Sequence, residues 1–374
     1  MLTNANVKIL VVDDEKNILS AIKRMSFDLD IDIDFASSGV EAIKAFNEHP
    51  YDIIVSDIKM PDMDGIKLLS YIKDEYPTTT RIILSGHVDG NLVFDIIKKS
   101  IAHTYMYKPW DNEKLISLLK KVSYARMIAL NEGIMDIVGS IDILSIHPKT
   151  LEKIKLYYPF EEDDENLLNI INNDAALAMR FIHISNSLNA ESKPQSIYKA
   201  VNYLTKEQIN KILQDYLLDD KLIMNIPKNS KLEFFLDYMI SNRKIIEKLH
   251  FYIYESPISQ ELNLIGLLFD IGKIMKFEYK NILNNIDINH EKLGGAILNL
   301  WRMPTDLIEC ALYHNDPFNP EIKNKEIVYL ISLSNYINSI VYNSRIENYD
   351  WESIIKGLGK SENDFESFLK ELVL

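Results

Sequence analysis

Acidic side chains close two short apolar segments in the first third of the chain. Asp13 and Asp14 end the segment that starts at Lys8, and Asp57 ends the segment that starts at Tyr51. Carboxylates held close together repel one another, and each is pushed toward its protonated form unless a cation lies nearby. Oxygen ligands suit a hard divalent cation such as Mg²⁺. One of the carboxylates could then act as the nucleophile toward a phosphoryl group.

A hydroxyl and an ammonium group stand at the ends of two later segments. Ser85 ends the segment that starts at Arg81, and Lys108 follows the segment His103–Tyr107. Both groups can stabilise negative charge on phosphoryl oxygens. Each residue taken alone is also an ordinary turn or helix-cap residue. The joint pattern, drawn from four segments, predicts one shared site.

The elements that must position these residues alternate regularly. Five strand-like segments rich in Val and Ile are predicted: Lys8–Asp14, Ile31–Ala36, Tyr51–Asp57, Arg81–Ser85 and His103–Tyr107. Helix-period segments separate them near 15–28, 38–48, 65–75, 89–100 and 111–126. This alternation predicts an α/β, doubly wound, five-stranded parallel sheet of the flavodoxin-like kind over residues 1–126. The carboxyl ends of parallel strands share one edge, so the polar residues are expected to converge there.

Beyond residue 126 the strand signals end, and an all-α region is predicted. Helices are expected near 127–139, 149–157, 164–187, 196–217, 231–253, 260–275, 290–300, 304–314, 325–343, 350–357 and 362–372. The predicted domains are a helical linker at 127–140, a first helical lobe at 141–225 and a second lobe at 226–374. The loop Asn225–Ser230 separates the lobes.

An apolar stripe links the two regions. Its residues keep a spacing of three and four: Leu115, Leu118, Val122, Ala125 and Ala129. Such a stripe is typical of a helix that faces its own domain core, and equally of a coiled coil that would form a homodimer.

Composition excludes several classes of function. The net charge is −14, with −4 over residues 1–125 and −10 over the remainder. Neither part offers the excess of basic residues that binding to nucleic acid requires. The sequence shows no signal peptide and no apolar run long enough to span a membrane. The single cysteine, Cys310, suits a reducing compartment, so a cytoplasmic location is expected.

The first region resembles the receiver domain of two-component response regulators. The resemblance covers about residues 6–126 and lies in four motifs: Val11-Val12-Asp13-Asp14-Glu15, the stretch from Ser56 to Gly65, Leu84-Ser85-Gly86, and Tyr105-Met106-Tyr107-Lys108-Pro109. It implies that a sensor histidine kinase transfers phosphate to Asp57.

The resemblance also implies roles for the surrounding residues. The Mg²⁺ ligands would be Asp13, Asp14, Asp57 and the backbone carbonyl of Lys59. The phosphate-binding and switch residues would be Ser85, Gly86, Lys108 and Tyr105. A phosphate carries about two negative charges, and it would draw Ser85 and Lys108 toward it while the ring of Tyr105 fills the vacated space. The side chains of Lys59 and His87 are expected to set how fast water removes the phosphate.

The helical region is similar to the HDOD domain, a degenerate relative of HD-type metal phosphohydrolases. The resemblance spans about residues 140–372. In the first lobe it lies in Leu167–Ile171, the stretch from Asn173 to Leu177, and Ile184–Ser187. In the second lobe it lies in the segment Leu264–Lys273, His290-Glu291, Trp301–Pro304 and Tyr313-His314.

Departures from the catalytic relatives decide the interpretation of this region. Phe269 stands where those relatives carry the histidine of the His-Asp pair, and Ser241 stands where a further ligand histidine aligns. Three possible metal ligands remain, namely Asp270, His290 and His314. A binuclear hydrolytic site needs more ligands than these. We therefore expect no cofactor in the HDOD domain. Asp270 would then cap its helix or form a hydrogen bond within it.

Two classes of function follow from the sequence. The favoured one is a response regulator that signals through a non-catalytic HDOD module, which binds a downstream protein or rearranges within a homodimer. The alternative is a receiver-gated phosphohydrolase that acts on nucleotides or cyclic dinucleotides.

Overall fold

The computed structural model describes residues 7–26, 32–86, 90–131, 134, 141, 143–161, 164–188, 196–227, 230–279, 288–342 and 349–373. The chain divides into two compact units. The first comprises Met1–Leu144 with the short segments His183–Lys193 and Asn299–Arg302, and the second comprises the rest. Among the described residues, no helix has both the length and the apolar character needed to cross a membrane.

A five-stranded parallel sheet forms the core of the first unit. Its strands are β1 (Lys8–Val12), β2 (Asp32–Ala36), β3 (Ile53–Ser56), β4 (Thr80–Ser85) and β5 (Thr104–Tyr107), in the spatial order β2-β1-β3-β4-β5. Every residue of β3 and β4 is buried, as expected for strands covered on both faces. The predicted fold class of this region is confirmed. Strand order reverses between β1 and β3, so the carboxyl ends of these strands border the crevice in which doubly wound folds bind ligands.

Five helices connect and flank the strands: α1 (Lys16–Met25), α2 (Gly39–Glu48), α3 (Gly65–Glu75), α4 (Gly90–Lys98) and α5 (Asn112–Asn131). The α5 helix continues past residue 126. Its apolar stripe, from Leu115 to Ala129, is buried within the chain itself. The core-facing interpretation therefore explains the stripe without a partner helix.

Helices account for the regular elements of the second region. They are α6 (Pro148–Tyr157), α7 (Glu165–Ile171), α8 (Ala175–Leu188), α9 (Ile197–Tyr203), α10 (Lys206–Leu218), α11 (Lys231–Tyr254), α12 (Gln260–Leu268), α13 (Ile271–Glu278), α14 (His290–Leu300), α15 (Thr305–Tyr313), α16 (Lys325–Val341), α17 (Trp351–Gly357) and α18 (Glu362–Val373). The prediction of an all-α region is confirmed. Most of the helix predicted at 127–139 lies outside the described residues.

Three helices predicted as continuous are each split in two. The helix predicted at 164–187 breaks before Ala175, where the carboxylate of Asp174 accepts a hydrogen bond from the backbone N–H of Leu177. The helix predicted at 196–217 breaks at Thr205, which forms a capping box with Gln208. These side chains satisfy N–H groups at a helix start, and apolar periodicity does not register them. The helix predicted at 260–275 also breaks, at Asp270.

Asp174 supports the start of two helices at once. Its second carboxylate oxygen accepts from the backbone N–H of His147, the residue that caps α6. We expect Asp174→Ala to lower the free energy of unfolding by about 2–4 kcal/mol, because it leaves two backbone N–H groups unpaired, one of them buried. Chemical denaturation of the full chain measures this change.

Asp164→Ala provides the matched control for that prediction. Asp164 caps α7 alone, through one bond to the N–H of Asn166. Its loss is expected to cost about 1 kcal/mol. Equal effects of the two substitutions would contradict the double role of Asp174.

Candidate functional site

Three charged side chains meet at the carboxyl edge of the sheet. Asp13 follows β1, Asp57 follows β3, and Lys108 follows β5. The ammonium nitrogen Nζ of Lys108 lies 2.6 Å from Oδ2 of Asp13 and 2.9 Å from Oδ1 of Asp57. Both carboxylates are almost fully buried, and the Lys108 side chain is 13% exposed. One cation is therefore shared between two carboxylates that are distant in the sequence.

Backbone contacts hold Asp57 in place. Its Oδ2 accepts a hydrogen bond of 2.7 Å from the backbone N–H of Lys59. The hydroxyl of Ser56 donates to the Asp57 carbonyl at 2.8 Å. Gly65, the first residue of α3, approaches so closely that a Cβ there would lie 1.9 Å from the Asp57 carbonyl oxygen. The carboxylate is thus fixed by the loop between β3 and α3. Gly65 belongs to one of the sequence motifs, but its close approach to Asp57 was not predicted.

The remaining residues predicted for this site are placed differently. The side chains of Asp14 and Lys59 are both exposed to solvent. Glu15, which was not among the predicted residues, lies 3.9 Å from the Lys108 ammonium through Oε1. His87 falls outside the described residues. Its expected role and that of Lys59 stay predictions.

The electrostatics of the crevice show an excess of negative charge. Burial raises the pKa of Asp13, although its hydrogen bond to Lys108 opposes this shift. Burial alone would lower the pKa of Lys108, but the hydrogen bonds to Asp13 and Asp57 outweigh it, and the pKa is raised. Lys108 is thus held in its charged form, and this one ammonium faces two buried carboxylates. A single ammonium does not neutralise this group of carboxylates.

The donor set fits Mg²⁺ on chemical grounds. Asp13 and Asp57 offer buried carboxylate oxygens at one edge, and Asp14, the next residue after Asp13, is exposed. Hard oxygen ligands with access to water are what Mg²⁺ requires. A bound divalent cation would also balance the carboxylate charge that one ammonium leaves over.

The predicted switch residues lie next to each other. Ser85 is buried at the end of β4, and Tyr105 is buried on β5. The Tyr105 hydroxyl donates to the carbonyl oxygens of Ser85 and Gly86, at 3.2 and 3.1 Å. The Tyr105 side chain is therefore already buried in this structure, and its hydroxyl is hydrogen-bonded to the end of β4 and the residue after it.

A second cluster lies in the helical unit. Asp270 precedes α13, His290 begins α14, and His314 follows the last residue of α15. One ligand atom of each residue lies within 4.8 Å of the other two. Burial lowers the pKa of His290 to about 4 and also lowers that of His314. The structure thus brings together three residues of the predicted degenerate site.

Phe269 has no ligand atom to add to this cluster. The Phe269 ring is buried and meets the His314 ring edge-on, with centroids 5.0 Å apart. Ser241 lies on α11. Asp270 makes no side-chain cap of α13; instead its Oδ2 lies 2.6 Å from the Lys273 ammonium. The expected local hydrogen bond is thus present, but with a lysine side chain.

Lys273 was not predicted as part of this site. Its position three residues after Asp270, within the helix predicted at 260–275, was the available signal, because helical side chains at that spacing are neighbours. The Lys273 ammonium also lies 5.1 Å from the ring centre of Phe235 and 5.9 Å from that of Tyr238.

A cavity of about 240 Å³ opens elsewhere in the second unit. His147, Lys149, Lys153 and Asp174 supply polar groups to its wall, and the rest of its lining is largely apolar. The sequence did not indicate it, because its walls come from segments far apart in the chain.

Comparisons with known proteins assign a different family to each of the two regions. The family model described as response regulator receiver domain matches residues 9–120, and that described as HDOD domain matches residues 146–317. A putative NtrX-like response regulator of Rickettsia bellii is 34% identical over 117 residues, which are 31% of this chain and 24% of that protein. The chemotaxis protein CheY of Listeria monocytogenes is 33% identical over 118 residues, which are 31% of this chain and 98% of that protein.

Part of the chain is also similar in sequence to a solved structure. The signal receiver domain of an HD domain-containing protein from Pseudomonas fluorescens is 32% identical and covers 31% of this chain and 93% of that chain, with a TM-score of 0.30. The chain spans about a quarter of the length of its NtrX-like relative. Together, the two family models cover both regions that the fold distinguishes. The chain is therefore a response regulator, in which a receiver domain precedes an HDOD domain.

Proposed function

We propose that Asp57 accepts a phosphoryl group from a sensor histidine kinase, and that the HDOD domain transmits the signal without hydrolysing a substrate. The observation that carries this proposal is the shared contact of Lys108 with Asp13 and Asp57. This contact holds the carboxylate that would attack phosphorus next to a positive charge that would stabilise the phosphoryl group.

The residues of the crevice have distinct roles in this transfer. A carboxylate oxygen of Asp57 attacks phosphorus, the bond from phosphorus to the kinase imidazole breaks, and the imidazole leaves with a proton. Lys108 balances negative charge on the phosphoryl oxygens, and the Ser85 hydroxyl donates a hydrogen bond to them. Asp13, Asp14, Asp57 and the carbonyl of Lys59 would hold Mg²⁺. When bound, this ion supplies further positive charge against the phosphoryl group.

Phosphorylation changes the surface of the receiver through Ser85 and Tyr105. The new charge draws Ser85 and Lys108 toward Asp57. Because the Tyr105 hydroxyl is bonded to the carbonyls of Ser85 and Gly86, a shift of this segment alters the hydrogen bonds of Tyr105. A local change of charge thereby shifts the conformation of the surface formed by α4 and β5.

Lys59 and His87 act on the lifetime of the phosphate. The exposed Lys59 side chain follows Asp57 by two positions, and His87 follows Ser85 by two positions in the sequence. If the half-life of the phosphorylated chain is the same in Lys59→Ala, His87→Ala and the unaltered protein, this role is excluded.

The HDOD domain is proposed to act on a downstream protein or within a homodimer. Phe269 supplies no ligand atom, and the cluster beside it contains one carboxylate and two imidazoles. Three metal-ligating side chains are too few for a binuclear hydrolytic centre. A receiver-gated phosphohydrolase is the alternative, and turnover of nucleotide phosphodiesters with Mn²⁺ or Fe²⁺ would establish it.

Incubation of the full chain with acetyl phosphate and Mg²⁺ tests the receiver function. Intact mass spectrometry should show the gain of one phosphoryl group, and peptide mapping should place it on Asp57. Absence of any gain would overturn the proposal. A pull-down with and without a phosphate mimic then identifies the partner and shows whether phosphorylation controls its access.

A further inference from the structure

We propose that Asp270, His290 and His314 bind one divalent first-row transition metal ion, such as Zn²⁺, in the HDOD domain. This site goes beyond the proposed signalling function, because it involves no receiver residue. It also replaces the expectation, drawn from the sequence, that this domain holds no cofactor.

The first observation is a set of buried polar atoms without hydrogen bonds. They are Oδ1 of Asp270, Nε2 of His290 and Nε2 of His314. The side chains of Asp270 and His314 are at most 1% exposed, and that of His290 is 18% exposed. Buried polar atoms are almost always paired, so three unpaired atoms in one place require an explanation.

The second observation is that all three atoms are acceptors. Nδ1 of His314 lies 3.0 Å from the carbonyl oxygen of Cys310 and 3.1 Å from that of Ala311. A carbonyl only accepts, so this Nδ1 carries the proton of the neutral ring, and Nε2 presents a lone pair. Nδ1 of His290 lies 3.1 Å from a carboxylate oxygen of Glu291, and this acceptor favours the ring proton on Nδ1.

Three acceptors that face one another need a shared positive charge. No described side chain places a donor among them, since the nearby Lys273 ammonium is bonded to Oδ2 of Asp270 and not to Oδ1. A metal ion accepts all three lone pairs at once. An additional proton would form a hydrogen bond between only two of the three atoms. The third atom would remain without a partner.

The separations suit a small ion. Oδ1 of Asp270 lies 3.3 Å from Nε2 of His290 and 3.9 Å from Nε2 of His314. Ligands at Zn²⁺ bonding distances in tetrahedral geometry lie roughly 3.3–3.6 Å apart. One ligand atom of each residue lies within 4.8 Å of the other two, so small side-chain movements bring all three to one ion.

Surrounding residues hold the ligands in these positions. The backbones of α13 and α14 cross so closely that a Cβ at Gly272 would lie 1.9 Å from the carbonyl oxygen of His290. Asn315 donates to one carboxylate oxygen of Glu291, and the other oxygen lies 3.1 Å from Nδ1 of His290. Such a chain behind a ligand histidine fixes its orientation and is typical of metal sites.

The donor types select the class of metal. Two imidazoles and one carboxylate suit Zn²⁺, Fe²⁺ and related ions, whereas Mg²⁺ prefers oxygen ligands alone. One ion is expected, because Lys273 already occupies the second oxygen of Asp270. Three protein ligands leave at least one coordination position for water or another ligand.

Titration of the chelator-treated full chain with Co²⁺ tests the proposal, with excess Mg²⁺ present to cover the oxygen site of the receiver. We expect one equivalent to bind, with visible absorption bands that Zn²⁺ abolishes by displacement. His290→Ala and Asp270→Asn should weaken binding by about 100-fold or more, because each removes a ligand. His250→Ala removes a histidine of the same unit outside the cluster and should leave binding unchanged.

A measurement on the unaltered protein keeps the test independent of how the variants fold. X-ray absorption of the Zn²⁺-loaded chain should show two imidazole nitrogens at about 2.0–2.1 Å. The proposal is overturned if no Co²⁺ binds, if His290→Ala and His250→Ala bind it equally, or if no imidazole is coordinated. Each of these outcomes leaves phosphorylation of Asp57 unaffected, so the two proposals fail separately.

Discussion

Asp57→Asn is expected to abolish phosphorylation of the full chain by acetyl phosphate and Mg²⁺. The amide is close in size to the carboxylate, and its oxygen can still accept from the backbone N–H of Lys59, so the loop should keep its shape. The amide is uncharged and does not attack phosphorus as a carboxylate does. Intact mass spectrometry should therefore find no phosphoryl adduct under conditions that modify the unaltered protein fully.

Asp62→Asn is the matched control for this result. Asp62 is exposed in the same loop, and its φ of 63° is a conformation that asparagine also tolerates. The same loss of negative charge should leave phosphorylation intact. Equal labelling of Asp57→Asn and the unaltered chain would show that another residue accepts the phosphate.

Gly65→Ala is expected to damage the site without altering a charged group. A Cβ at this position would lie 1.9 Å from the Asp57 carbonyl oxygen and 2.9 Å from its carbonyl carbon, so the backbone must move. We expect the free energy of unfolding to fall by about 2–4 kcal/mol, because a clash with backbone atoms is not relieved by rotating a side chain. A displacement of Asp57 by about 1 Å would slow phosphorylation by about 100-fold. Denaturant titration and the initial rate of mass gain measure the two effects.

Gly90→Ala separates this clash from the general effect of replacing glycine at a helix start. Gly90 begins α4 as Gly65 begins α3, and a Cβ added at Gly90 would meet no atom within 4 Å. The substitution should be neutral, or stabilising by up to about 1 kcal/mol. If Gly65→Ala behaves in the same way, the close approach to Asp57 does not constrain the loop.

The receiver could be predicted in detail because its chemistry follows from its topology. In a parallel sheet, a residue just after any strand lies at the same edge. Asp13, Asp57 and Lys108 could therefore be assigned to one site before any distance was known. The role of Lys108 as a cation shared by both carboxylates required the fold, since it depends on the spatial order of β1, β3 and β5.

The helical domain was less predictable, because helices impose no common edge. Apolar periodicity located the helices but ran through the breaks at Asp174, Thr205 and Asp270. Side-chain hydrogen bonds start the new helix at Asp174 and Thr205, whereas Asp270 makes no side-chain cap. Sequence resemblance could also name Asp270, His290 and His314, but not whether they meet.

The sequence by itself determined the two fold classes, the order of the domains and the residues that could carry phosphate. Local apolar patterns and strand-end positions are sufficient for these, because both are properties of neighbouring residues. Only the tertiary structure decided that Gly65 touches Asp57, and that three unpaired acceptors meet where α13, α14 and α15 converge. The physical reason is that close backbone approach and the direction of a lone pair depend on how distant segments pack, and no local pattern encodes that.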